Sequence, residues 1–197
     1  QSGQYIDVML RDERRRSFSL ANPPHDSTLL ELHVRRAPGG AFSEQVFTTL
    51  GEGSLLRIEG PLGQFVYRPG DRPVLLVGGG TGYAPLKAML RQVLETESRR
   101  EVTLFWGART KADLYEDAWL RALAEKHGRF RYFPVLSEQR AEPPHEAGFV
   151  HEAVVRRVAG LAGFDIYAAG PPAMIDAVRA ALPPQGADPA RIFFDSF

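Results

Sequence analysis

The segment Val74-Leu75-Leu76-Val77-Gly78-Gly79-Gly80-Thr81-Gly82-Tyr83-Ala84-Pro85 constrains the fold of this chain more than any other. An apolar run enters a cluster of glycines and leaves it into a helical pattern that places Met89, Leu90, Val93 and Leu94 on one face. Glycine lets the backbone turn tightly and lets an anion approach amide N–H groups, while the helix that follows offers its positive end. Pro85 suits the first helical turn, where a missing N–H costs nothing. Counted from Gly78, the third glycine of the G-x-G-x-x-G fingerprint falls on Tyr83. The residues alone therefore leave two readings, an anion-binding loop and a glycine-rich strand-to-helix turn.

From residue 72 onward, apolar runs of about five residues alternate with helical patterns of about 10 to 15, the rhythm of a parallel sheet covered on both faces. Strands are expected at 73–77, 102–106, 130–135, 165–169 and 191–194, and helices at 84–97, 114–127 and 172–182. Before residue 70 the pattern is short strands, at 5–10, 16–20, 29–35 and 54–59, with one short helix at 43–49. The turn Pro69-Gly70-Asp71 marks a boundary. The expected architecture is two-domain: an antiparallel β-barrel, N-terminally incomplete, over 1–70, and an α/β doubly wound unit with a five-stranded parallel sheet over 71–197.

Composition narrows the function classes. Lys plus Arg and Asp plus Glu each total 24 in 197 residues, so no net field draws the chain to nucleic acid or an anionic membrane. No apolar run approaches the roughly 18 residues of a membrane span, and residues 1–5 lack the features of a secretory signal, so a cytoplasmic location is expected. The absence of cysteine excludes a four-thiolate iron–sulfur cluster on this chain. None of the five histidines has metal-ligand spacing, and no metal is expected. There is no initiating Met and a strand pattern is already under way at 3–8, which suggests a fragment or an incompletely ordered chain.

Gly79-Gly80-Thr81-Gly82-Tyr83-Ala84-Pro85 and, later, Ala169-Gly170-Pro171-Pro172-Ala173-Met174 together resemble the two nucleotide loops of the ferredoxin–NADP reductase superfamily, in the branch of oxygenase reductases and CDP-6-deoxy-glucoseen reductases. Ala169 stands where many relatives have a cysteine beside the nicotinamide. The resemblance implies that Gly80, Thr81, Gly82, Pro85, Gly170, Pro171, Pro172 and Met174 bind NAD(P)H, and that Gly107, Ala108 and Arg109 hold its adenosine end, with NADH favoured over NADPH. Upstream, Arg16-Ser17-Phe18-Ser19 is similar to the family's Arg-x-Tyr-Ser flavin motif, with Phe18 in the tyrosine position. By that resemblance Arg16 meets the FAD pyrophosphate, Phe18 the isoalloxazine ring and Ser19 the flavin N5, chemistry suited to a guanidinium, an aromatic face and a small hydroxyl. His33 and Val34 join the flavin set. Residues 35–43, with Pro38, Gly39, Gly40, Phe42 and Ser43, resemble the second phosphate loop, and Ser43 also reads as a helix N-cap. The tail, 192–197, brings Asp195 and Phe197 to the flavin in relatives with similar endings. Ser19, Gly170 and Phe197 are thus the expected catalytic set.

The resemblance implies an FAD-dependent NAD(P)H reductase that passes electrons to an iron–sulfur protein or domain. Two alternatives remain at this point: an NAD(P)H:flavin reductase using free flavin as substrate, and a non-catalytic electron-relay subunit of a larger dehydrogenase. If the start of the barrel is truly absent, the chain is expected to bind nicotinamide nucleotide better than FAD.

Overall fold

The computed structural model describes residues 1–9, 14–37, 39–97 and 99–197. Leu10, assigned above to the first strand, and Pro38, assigned to the second phosphate loop, lie outside them.

The first part is a three-stranded antiparallel sheet in the order β2-β1-β3, built from β1 (Tyr5–Met9), β2 (Arg15–Ser19) and β3 (Arg57–Leu62). In the β1–β2 register Ile6 faces Phe18 and Val8 faces Arg16, so strand alternation puts Ile6, Val8 and Phe18 on one side. Helix α1 (Ala41–Thr48) closes that side through Phe42, whose ring centroid lies 5.0 Å from that of Phe18. Leu20, Leu32, Val34, Val46 and Leu50 complete this small core.

Three expectations here are corrected. Residues 29–35 form no strand: Leu32 makes a single bridge to Leu20, because Asn22 accepts from the Glu31 N–H and draws the chain out of the ladder. The strand expected at 54–59 starts at Arg57, since Ser54 is spent on a turn with Gly51, and it runs on to Leu62 along β1. The short helix begins at Ala41, with Gly40 in extended conformation as its N-cap, so Ser43 is not the cap.

The second part is a parallel sheet in the order β7-β6-β5-β4-β8-β9. Its strands are β4 (Val74–Gly79), β5 (Val102–Ala108), β6 (Phe130–Leu136), β7 (Glu146–Ala147), β8 (Asp165–Gly170) and β9 (Ile192–Ser196). It has six strands rather than five, because Glu146–Ala147 pairs with the end of β6. Every residue of β4 is buried, as expected of a central strand covered on both faces. Its alternate residues serve opposite layers: Val74 and Leu76 pack with α2 (Tyr83–Thr96) and α3 (Asp117–Lys126), and Leu75 and Val77 with α4 (Val150–Arg157) and α5 (Pro172–Ala181). Helix α4 has no counterpart in the sequence reading. Helix α3 starts at Asp117 and not at 114, because Leu114–Glu116 form a turn.

At the opposite end of the sheet from the glycine loop, Arg100 is buried and bonds Asp165 at 2.5 Å and the carbonyls of Arg68 and Arg72 at 2.9 and 2.6 Å. One guanidinium thus fastens the connection between the two parts to the start of β8.

Candidate functional site

Chain order reverses direction beside β4: the next strand, β5, lies on one flank and β8 on the other. At such a switch point the connections leave to opposite faces and open a crevice beyond the carboxyl ends of the strands. Here that crevice is a cavity of about 820 Å³, walled on its far side by Glu31, His33, Val34 and Arg35 of the first part. Its size is within the range of small-molecule and cofactor sites.

The glycine loop forms its floor. Gly80 has φ +54, and a Cβ built there would meet nothing within 4 Å, so the space above it is open. Gly82 is needed for a different reason, since its Cβ would fall 2.1 Å from the carbonyl oxygen of Ala169. The loop is held from below by Trp106, whose indole N–H donates to the Gly80 carbonyl at 2.9 Å and whose ring stacks on Tyr83 at 4.2 Å. No side chain caps the glycine turn Gly80–Gly82 or the start of α2, whose Tyr83 N–H is already given to the Gly80 carbonyl.

Of the residues expected to bind nucleotide, Gly80, Thr81, Gly107, Ala108, Arg109, Pro171 and Met174 line this cavity, together with His33 and Val34 from the flavin set. Gly82, Pro85, Gly170 and Pro172 lie directly behind these in the chain, outside the lining. Ala169, in the cysteine position, is fully buried in the same core as Tyr167. The C-terminal residues reach the same end of the sheet: Gly170 pairs with Ser196, and the Phe197 N–H donates to the Gly170 carbonyl at 3.4 Å. Burial raises the pKa of the Asp195 carboxyl, opposed by the Ser196 N–H.

The remaining flavin set is gathered on the antiparallel sheet. Arg16 is exposed and donates to the Arg15 carbonyl, with no carboxylate partner among the described residues. Ser17 bonds Asp7 at 2.6 Å, and Ser19 lies on the same face, opposite Tyr5. The Ser43 hydroxyl knits its own loop, contacting Ala37 and the Gly40 carbonyl, while Gly39 and Gly40 lead into α1.

The sequence reading missed two groups. Phe149, exposed at the cavity edge and stacked on His151, belongs to the unforeseen start of α4. The second is a polar cluster from distant segments. The ammonium of Lys87 sits 2.6 Å from both Glu31 and Glu116, Tyr83 donates to Glu116 at 2.8 Å, and His33 lies between Glu31 at 3.0 Å and Tyr115 at 2.7 Å. Burial, then Glu116, holds the Tyr83 phenol well above its usual pKa, so it stays a donor. Glu31, His33 and Glu116 could together face a cation, their ligand atoms lying within 4.8 Å of one another; Lys87 supplies that charge.

An open glycine loop at the switch point of a doubly wound sheet, across a cleft from an antiparallel sheet, is the arrangement of a two-part nucleotide-binding protein. The chain belongs to the ferredoxin–NADP reductase superfamily, residues 76–180 matching the oxidoreductase NAD-binding domain family and residues 1–67 the oxidoreductase FAD-binding domain family. It is 42% identical over 177 residues to protein RfbI of Salmonella typhimurium, covering 90% of this chain and 53% of that protein. It is 38% identical over 196 residues to the CDP-6-deoxy-L-threo-D-glycero-4-hexulose-3-dehydrase reductase of Yersinia pestis, covering 100% of this chain and 59% of that protein. The crystal structure of the Amycolatopsis cytochrome P450 reductase GcoB superposes with a TM-score of 0.94 at 38% identity, covering 100% of this chain and 61% of that one. The chain thus spans between half and two thirds of the length of these relatives. Among the described residues, no helix is long and apolar enough to cross a membrane.

Proposed function

We propose that this chain is the flavin- and nucleotide-binding part of a cytoplasmic reductase that moves electrons from NAD(P)H through FAD to an iron–sulfur acceptor, with residues 1–70 as the flavin unit and 71–197 as the nucleotide unit. The observation that carries this is the cavity shared by both parts, with the open Gly80 loop on one side and His33–Arg35 on the other. The donors suit both cofactors. Arg16 has guanidinium N–H groups to spare and α1 begins without a side-chain cap, as a pyrophosphate requires, and the uncapped glycine turn Gly80–Gly82 offers the same to the nucleotide. When bound, FAD would take two electrons from the dihydronicotinamide as hydride and release them singly.

The chain's own residues supply position and charge. Thr81, the amides of the Gly80–Gly82 turn and Pro171 would orient the diphosphate and nicotinamide ribose, and Gly107, Ala108 and Arg109 the adenosine. Arg109 is faced by Glu138 at 3.4 Å, and Asp113 and Glu116 also border the cavity, a balance of charge that favours NADH over a 2′-phosphorylated nucleotide. Ser19 would bond the flavin, and Gly170 and Phe197, joined by a backbone hydrogen bond, would bound the nicotinamide.

The decisive experiment is anaerobic mixing of the FAD-loaded protein with NADH, followed by a [2Fe–2S] protein as acceptor. Loss of the flavin absorbance and then reduction of the cluster are expected, with kcat/KM higher for NADH than for NADPH. Retained FAD that NADH does not bleach would overturn the proposal.

A further inference from the structure

Helix α2 does more than follow the glycine loop. Lys87, Arg91 and Glu95, spaced four apart, form one stripe along it. Each pairs with the same stretch of the antiparallel part, in reverse order: Lys87 with Glu31 at 2.6 Å, Arg91 with Asp26 at 2.8 Å, and Glu95 with His25 at 2.5 Å. Segment 25–31 therefore runs antiparallel to the helix as a strap. Asn22 shapes it by donating to the carbonyls of Asp26 and Leu29 and accepting from the Glu31 N–H.

The three pairs are not equivalent. His25, Asp26 and Glu95 have side chains 38 to 42% exposed, where an ion pair contributes little. The Lys87 side chain is 9% exposed, is bonded by two carboxylates and lies 5.1 Å from the Trp119 ring. Losing its charge would leave Glu31 and Glu116 facing each other without a cation. Glu31 begins the wall of the cavity, two residues before His33, and α2 carries the glycine floor at its N-terminal end, just ahead of Lys87.

We propose that Lys87 is a positioning residue that sets the width of the nucleotide cleft. By drawing Glu31 of the first part and Glu116 of the second onto one ammonium, it fixes the wall at His33–Arg35 against the floor at Gly80 without lining the cavity itself. The kinetic consequence rests on the function proposed above; the structural one does not.

The test compares wild type with Lys87→Met and Lys87→Arg by amide hydrogen exchange and by steady-state kinetics. Lys87→Met should speed exchange about tenfold in 22–35 and 111–117 while leaving 5–9 and 74–79 unchanged, the signature of local opening. It should raise KM for NADH about tenfold with kcat little changed, as loss of uniform binding does, and Lys87→Arg should restore most of both. A uniform rise in exchange along the chain, unchanged exchange in 22–35, or a fall in kcat at constant KM would overturn the proposal. Should Lys87→Met not fold, Glu31→Gln is read by the same criteria. A protein that never oxidises NADH would count against the proposed function alone, since the exchange pattern still decides whether Lys87 holds the cleft.

Discussion

Trp106 donates its indole N–H to the carbonyl of Gly80, so one sheet strand holds the glycine loop of its neighbour at 2.9 Å. The bond is made by a fully buried side chain whose ring also lies against Tyr83. Trp106→Phe keeps the aromatic packing and removes the donor. Stability should fall by about 1 kcal/mol in urea denaturation, since the Gly80 carbonyl keeps its bond from the Tyr83 N–H. Affinity for NAD+ by calorimetry should fall with it.

Two glycines of the loop should respond differently to the same substitution. Gly82→Ala drives a methyl toward the Ala169 carbonyl and should destabilise the fold by about 1–3 kcal/mol through overpacking. Gly80→Ala meets open space, so beyond about 1–2 kcal/mol of left-handed backbone strain its effect should appear as lost nucleotide binding. Equal stability losses with unchanged nucleotide affinity in both would contradict this assignment.

Arg100 is buried against Asp165, which also accepts from Arg191 at 2.7 Å. Arg100→Met strips Asp165 of one of two cations and leaves the Arg68 and Arg72 carbonyls without their donor. A loss of about 3 kcal/mol is expected in guanidinium denaturation, at the lower end for a broken buried pair because Arg191 remains.

Glu31 offers a pH signature. Burial alone would raise its pKa, but bonds from Lys87 and His33 outweigh that and leave it below the ordinary 4.5. A depressed folded-state pKa means that its stabilisation is present above 4.5 and is lost as pH falls through the folded value. The stability difference between wild type and Glu31→Gln should therefore be constant near neutral pH and shrink on acidification below 4.5. Paired thermal melts across that range would show it, and a gap that widened in acid would refute it.

Phe149 is 60% exposed and borders the cavity. Phe149→Ala should leave the melting temperature nearly unchanged, as surface changes usually do. It should weaken nucleotide binding by about two- to tenfold through loss of aromatic contact. Unchanged affinity by calorimetry would place Phe149 outside the site.

Much of this molecule was legible from local pattern. The five main strands of the parallel sheet announce themselves by apolar runs such as 74–77, which burial on both faces forces most strongly in the central β4 and β8. The glycine loop is legible because a tight approach to backbone tolerates no other residue at Gly82. Strand β7 escaped, its two residues being too few for periodicity to speak, and helix α4 went unread with it.

The sequence by itself determined the doubly wound sheet, its glycine loop and the family motifs, since each depends on neighbours a few residues apart. Only the tertiary structure decided that Glu31, Lys87 and Glu116 share one charge centre and that His33 walls a cavity floored by Gly80. Those contacts join segments 29 to 85 residues apart, and nothing in a charged residue's local surroundings reveals which distant partner will neutralise it.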